Sequence, residues 1–180
     1  ESILIPVNLA NVATVIRNAA SMEMTGLELE LMYQVTEAWD LMVTYGYLEA
    51  EYKDYLADLT GDGIITDNSG LIPRNTPENT FGLTTSYTTQ IGQGELKGRI
   101  SYRFRDEMNT DSSNNPYGDL DSIENVNATI NYSFSDYSIT LWGRNLTDER
   151  EQRWATIGGL TSRGWWNEPQ TLGITFAASF

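Results

Sequence analysis

Asp58, Thr60 and Asp62 are spaced as the oxygen ligands that open a calcium loop, with Gly63 following and Ile64 two positions beyond Asp62. In such a loop the three side chains and the Ile64 carbonyl would hold the ion, and Gly63 would permit the sharp bend. The closing acidic residue is missing, because Ser69 stands in its place. An acidic, Gly-rich loop without an ion is therefore the favoured alternative to calcium in 58–69, and nothing else in the chain calls for a cofactor.

Two other groups could do chemistry. Lys97, Arg99, Arg103 and Arg105 occupy alternate positions, so on a strand they would form one basic stripe. Such a stripe could steer an anionic complex; ion pairing with another part of the protein, or with acids such as Glu28 and Glu30, is the plainer expectation. Arg153, Trp154, Arg163, Trp165 and Trp166 gather flat, cationic side chains in one segment, suited to a partly aromatic ligand or simply to loop packing.

The chain has 180 residues, no His and no Cys, so neither a Ser-His-Asp nor a Cys-His arrangement can be assembled from it. No catalytic residue is expected. With 11 Lys+Arg against 25 Asp+Glu the formal charge is −14, which argues against nucleic acid as a partner.

Period-2 alternation of apolar and polar residues predicts the elements that carry these groups. Leu27, Leu29, Leu31 and Tyr33 alternate with Glu28, Glu30, Met32 and Gln34. Similar runs cover 39–47, 81–91, 96–105, 126–134, 137–143 and 172–180, making seven strands near the length that crosses a bilayer. The stretch 12–17 is expected to lead into the first of them, or to supply an eighth. Short turns fall at 36–38, 92–94 and 135–136, and long polar loops at 54–79, 107–123 and 147–169. That asymmetry, with aromatic residues such as Trp39, Phe134 and Tyr137 beside the short turns, predicts an all-β, antiparallel transmembrane β-barrel. A soluble sandwich would have to expose Arg99, Arg103 and Arg105 to solvent without reason. Residues 1–6 do not read as a signal peptide, lack an initiator Met and begin in mid-pattern, so a portion of a longer chain is expected.

Three segments, in order, resemble the TonB-dependent outer-membrane receptor family: Asn18-Ala-Ala-Ser leading to Gly26-Leu-Glu-Leu-Glu, then Gly143-Arg-Asn-Leu-Thr-Asp-Glu-Arg150, then Pro169-Gln-Thr-Leu-Gly-Ile-Thr-Phe-Ala-Ala-Ser-Phe180. Gln170 departs from the Arg usual there. The segment from Pro73 to Tyr102-Arg-Phe-Arg-Asp-Glu is similar to iron-complex (siderophore) receptors. The resemblance implies that residues 1–180 are a C-terminal portion, about seven strands, of a 22-stranded barrel in the Gram-negative outer membrane. It implies that the plug and N-terminal strands lie elsewhere. Import of a ferric-siderophore or similar ligand would be driven by the TonB complex acting on those missing parts. Phe176 and Phe180 resemble the signal read by the barrel assembly machinery, and outer-membrane lipid would surround the wall. A small standalone barrel with a structural, adhesion or passive-pore role is the alternative.

Overall fold

Three two-residue turns set the register of the sheet: Glu37-Ala38, Gly92-Gln93 and Ser135-Asp136. Gly92 (φ +63°) and Ser135 (φ +48°) take the left-handed backbone that lets so short a connection match strand twist. The computed structural model describes residues 3–6, 14–17, 20–150, 152–158 and 161–179.

Its strands are β1 (Ile3–Pro6), β2 (Thr14–Arg17), β3 (Ala20–Thr36), β4 (Trp39–Ala57), β5 (Thr66–Asp67), β6 (Asn79–Ile91) and β7 (Gly94–Arg105). They continue as β8 (Met108–Asn109), β9 (Asp119–Leu120), β10 (Ile123–Phe134), β11 (Tyr137–Arg144), β12 (Gln152–Gly158), β13 (Thr161–Trp166) and β14 (Thr171–Ala178). A single 3-10 turn, Pro116–Gly118, is the helical element among the described residues, so no helix there is long and apolar enough to cross a membrane.

The main sheet runs β14-β11-β10-β7-β6-β4-β3, antiparallel throughout, with β5 added beside β4. These are the seven strands expected from the alternation. β3 and β14 are its edges and do not meet, so the sheet is an open section of barrel wall. The 12–17 stretch does not join it: Thr14–Arg17 pairs with Ile3–Pro6 as a separate two-stranded sheet, because Ile3 to Ile5 offers it a local partner.

Alternation produces two unlike faces. One row across the sheet reads Tyr33, Leu41, Thr85, Ile100, Ala128, Gly143 and Leu172; the next reads Gln34, Asp40, Ser86, Arg99, Thr129, Trp142 and Gly173. Nothing among the described residues covers the apolar face. Leu31 is 56% exposed, Ile100 53% and Ile174 74%. A water-soluble domain of this size does not leave so large an apolar surface bare, whereas a lipid-facing wall requires one. Near the short turns Tyr132, Phe134, Tyr137 and Phe176 form a chain of ring contacts with centroids 5.5–6.0 Å apart, the aromatic band expected at an interface.

β3 and β4 are much longer than the roughly ten residues needed to span a bilayer, so they rise beyond it at the long-loop end. A bulge there pairs Met22 with Tyr52 but Ser21 with Asp54, leaving Lys53 extra. It turns Tyr52 and Tyr55, three apart in sequence, to one face, with ring centroids 4.5 Å apart. Lys53 pairs with Glu23 and Glu51. The chief hydrophobic cluster of the described residues lies here, above the wall: Tyr52, Tyr55 and Ala57 packed by Ala20, Met22, Leu59 and Leu71.

Candidate functional site

The long loops are not independent. Residues 58–78 cross to 106–122 through Asn114, whose side chain accepts from the Ile72 N–H (2.6 Å) and donates to the Ile72 carbonyl (2.8 Å). Asn75 N–H donates to the Asn109 carbonyl at 2.8 Å, and the Tyr55 hydroxyl reaches the Ser112 carbonyl at 3.4 Å. Pro73 and Tyr55 are fully buried where the two loops meet. The second loop is organised by its own short pairing, β8 with β9, so its polar sequence hid a small folded unit.

Residues 143–148 form a corner that joins β10, β11 and the lead-in to β14. Asn145, 4% exposed with φ +49°, is its hub. Its amide nitrogen donates to the carbonyls of Glu149 (2.9 Å) and Glu168 (3.1 Å), and its side-chain oxygen accepts from Asn125 and Thr147. Its backbone N–H donates to Asn127 Oδ1 at 2.9 Å. Leu146 folds over Gly143, where a Cβ would collide with it, and Asp148 accepts from the Gln170 N–H. Gln170 also donates to the Leu146 carbonyl, so it retains a bonding role at that position.

The calcium-like loop is closed by its own backbone. Asp58 accepts the N–H groups of Gly61 and Gly63, each at 2.7 Å, and Asp62 accepts that of Ile64 at 2.8 Å. Desolvation pushes the Asp58 carboxyl up, but the N–H of Gly63 and Gly61, the Thr60 hydroxyl and the Asp62 N–H outweigh it and hold the group below its usual range. The N–H and hydroxyl of Ser69 do the same for Asp67. Among the described residues no three acids converge as a metal site. Asp58, Thr60, Asp62 and Ile64 are thus brought together as a hydrogen-bonded turn.

The basic stripe is continuous along β7. Lys97, Arg99, Arg103 and Arg105 share the polar face. The suggested neighbours Glu28 and Glu30 share that face but lie three strand steps from Arg105 and Arg103. Direct pairing does not occur, because β4 and β6 stand between β3 and β7. Arg105 donates to the carbonyls of Asp106 (2.8 Å) and Asp121 (3.1 Å), at the two ends of the 106–122 loop.

The last long loop, expected to be irregular, contains the β12–β13 hairpin, in which Trp154 is opposite Trp165 and Thr156 opposite Arg163. Trp165 and Trp166 are 72% and 62% exposed. The side chains of Arg153, Trp154 and Arg163 lie outside the described residues, as does Phe180. Phe176 faces outward in the aromatic band. The sequence reading passed over Trp142, which lies on the polar face with its Nε1 3.2 Å from Thr175 Oγ1 and the Arg144 guanidinium 5.2 Å from its ring. Its even-numbered place in β11, opposite in parity to Leu141, was the available signal.

A family model for the TonB dependent receptor-like beta-barrel matches residues 3–146. The fold is similar to the ferric yersiniabactin uptake receptor FyuA from Yersinia pestis, with a TM-score of 0.77 at 18% identity over 92% of this chain. It is also similar to two proteins from Acinetobacter baumannii. The siderophore receptor PiuA gives a TM-score of 0.71 at 21% identity over 96% of the chain, and the ferric preacinetobactin receptor BauA 0.68 at 20% over 100%. The chain spans 25%, 23% and 25% of the lengths of these three structures. Barrels of this family reside in outer membranes, and the matched structures are receptors by name. The apolar outer face, the polar inner face, the short turns opposite long loops and the family match agree: the chain belongs to the TonB-dependent receptor β-barrel family.

Proposed function

We propose that this chain is part of the wall and extracellular rim of an outer-membrane importer, energised by TonB, that takes up a ferric-siderophore complex. The observation that carries the reading is the match of nearly the whole chain to a ferric yersiniabactin uptake receptor, a siderophore receptor and a ferric preacinetobactin receptor. On this reading the apolar face meets outer-membrane lipid, the polar face lines the lumen, and the long-loop end faces outside. Trp165 and Trp166, exposed on that end, contribute flat surfaces to ligand capture, with Arg153, Trp154 and Arg163 beside them in the same hairpin. Phe176 and Phe180 serve recognition by the barrel assembly machinery. The loop 58–69 acts as rim structure closed on its own N–H groups rather than as a calcium site.

The test is uptake by the full-length receptor in a bacterium lacking its own siderophore receptors, with TonB present or deleted. The expected result is growth on at least one ferric siderophore under iron limitation, only with TonB present. Uptake that persists without TonB would overturn the coupling and favour a passive pore. Failure across hydroxamate, catecholate and mixed-type siderophores would overturn the ligand class.

A further inference from the structure

The apolar face is not evenly raised. Ala128 of β10 and Gly143 of β11 are registered partners on it, and between them they carry a single methyl group. Leu172 continues that row, and Ile130, Leu141 and Ile174 form the next row toward the short turns. These four large side chains are exposed, whereas Gly143 is buried and Ala128 half-buried. The result is a hollow of about 540 Å³ sunk into the outer wall and bounded at its long-loop end by Leu146. Leu146 folds down from the corner: a Cβ on Gly143 would stand 2.5 Å from one of its methyls and 3.0 Å from a methyl of Leu172.

The hollow does not owe its openness to parts of a receptor beyond this chain. A plug would lie against the opposite, polar face. Both registered neighbours of Gly143 are present, and outward side chains stand roughly perpendicular to a sheet. A further strand beside β14 would therefore flank Leu172 without covering the floor.

Its height on the wall says what reaches it. Gly143 stands six residues along β11 from Tyr137, a member of the aromatic band. At about 3.4 Å per residue and a strand tilt of about 35–45°, that is roughly 15 Å above the band. The apolar belt of such a barrel is about 25 Å tall, so the hollow lies in its middle, where acyl chains end. No charged side chain lines it among the described residues, and an apolar hollow stays dry. Left empty, its walls would forfeit dispersion contacts, which a flexible chain end can enter and restore. A second receptor wall would meet the projecting Leu172 and Ile174 before it reached the floor.

We propose that the hollow seats the terminal segment of one acyl chain from the surrounding outer leaflet, holding that lipid longer than its neighbours along the wall. With no charge lining it, the seat reads the chain and not the headgroup. This rests on the reading that the apolar face meets lipid.

The probe is a phosphatidylcholine with a photoreactive diazirine at the end of one acyl chain, in vesicles holding the full-length receptor. Mass spectrometry after irradiation locates the labelled residues. Labelling at Leu141 and Leu172 should exceed that at Leu41, which shares the row of Leu172, by about threefold, the effect of roughly five added carbon contacts. A diazirine beside the headgroup should give no such excess, and the phosphatidylglycerol analogue should give the same excess as phosphatidylcholine. Ala128→Leu raises the floor and should remove the excess while leaving Leu41 labelled as before. Ile174→Ala lowers one wall and should reduce it, which keeps the test open if the first variant does not fold. Even labelling along the row, an excess that survives in folded Ala128→Leu, or one that requires phosphatidylglycerol would overturn the seat alone. No labelling at any of the three leucines would overturn the lipid-facing reading as well. Labelling at Leu141 below that at Leu41, rising as the receptor is diluted in lipid, would give the hollow to a second copy.

Discussion

Asn114 grips Ile72 by both backbone polar groups, accepting from its N–H at 2.6 Å and donating to its carbonyl at 2.8 Å across 42 positions of sequence. One side chain thus imitates a strand partner and binds two long loops into one body. Asn114 itself has φ +50°, a conformation Asn tolerates better than most residues.

Asn114→Gly keeps that backbone accessible and removes the grip. It should cost about 1 kcal/mol locally, since Ile72 is exposed enough for water to replace the lost partners. Limited proteolysis of the receptor in detergent should then cut within 58–78 faster, while its β-sheet circular dichroism stays unchanged. An unaltered cutting rate would mean that Tyr55, Pro73 and the Asn75–Asn109 hydrogen bond hold the two loops together without Asn114.

Asn145 should be far less tolerant. It is buried, and its side chain satisfies the carbonyls of Glu149 and Glu168. Asn145→Ala takes this partner from the Glu168 carbonyl and Asn125, leaves the Glu149 carbonyl with Asn167, and should cost about 2–4 kcal/mol. The midpoint of urea-dependent refolding into lipid measures it. A loss no larger than that of Asn114→Gly would deny the corner its structural role.

The two faces of β7 make opposite demands. Ile100 sits mid-row on the apolar face and Ser101 on the polar face opposite Asn127 and Thr84. Ile100→Arg should destabilise the barrel by about 2–4 kcal/mol if it lies near the bilayer midplane, and Ser101→Arg by much less. Equal costs in the same refolding assay would reverse the facing assignment.

The Asp58 turn should be acid-sensitive and indifferent to cations. Because its folded carboxyl is held below the ordinary value, its stabilisation is complete above about pH 4 and is lost as pH falls through the lowered value. Hydrogen exchange at Gly61 and Gly63, corrected for intrinsic rates, should accelerate over that acid window and not above it. Terbium luminescence of the receptor should be the same before and after Asp62→Ala. A quenched signal in the variant would favour calcium binding by the loop.

The seven-strand wall was legible because a strand with two unlike environments must alternate, and 96–105 or 126–134 admit no other period. The short turns were legible for a related reason: Gly92 and Ser135-Asp136 interrupt that alternation where the backbone reverses. The 147–169 segment was not legible as a hairpin. Its Gly and Trp residues carry no clean alternation, and its pairing with itself depends on a bulge between Gln152 and Trp154.

The sequence by itself determined which residues share the apolar face and which the polar face, since side-chain parity is a local property of an extended chain. It also determined three of the six strand pairings of the main sheet, because a two-residue turn leaves antiparallel neighbours as the sole arrangement; the three pairings across the long loops were left to the tertiary structure. Only the tertiary structure decided which charges stand beside one another. Glu28 and Arg105 are 77 residues apart in number yet share a row that crosses four strands, a relationship set by register between strands that no local pattern encodes. The same holds for Asn114 with Ile72 and for Asn145 with Glu168. Each joins segments whose contact exists only once the strands between them have paired.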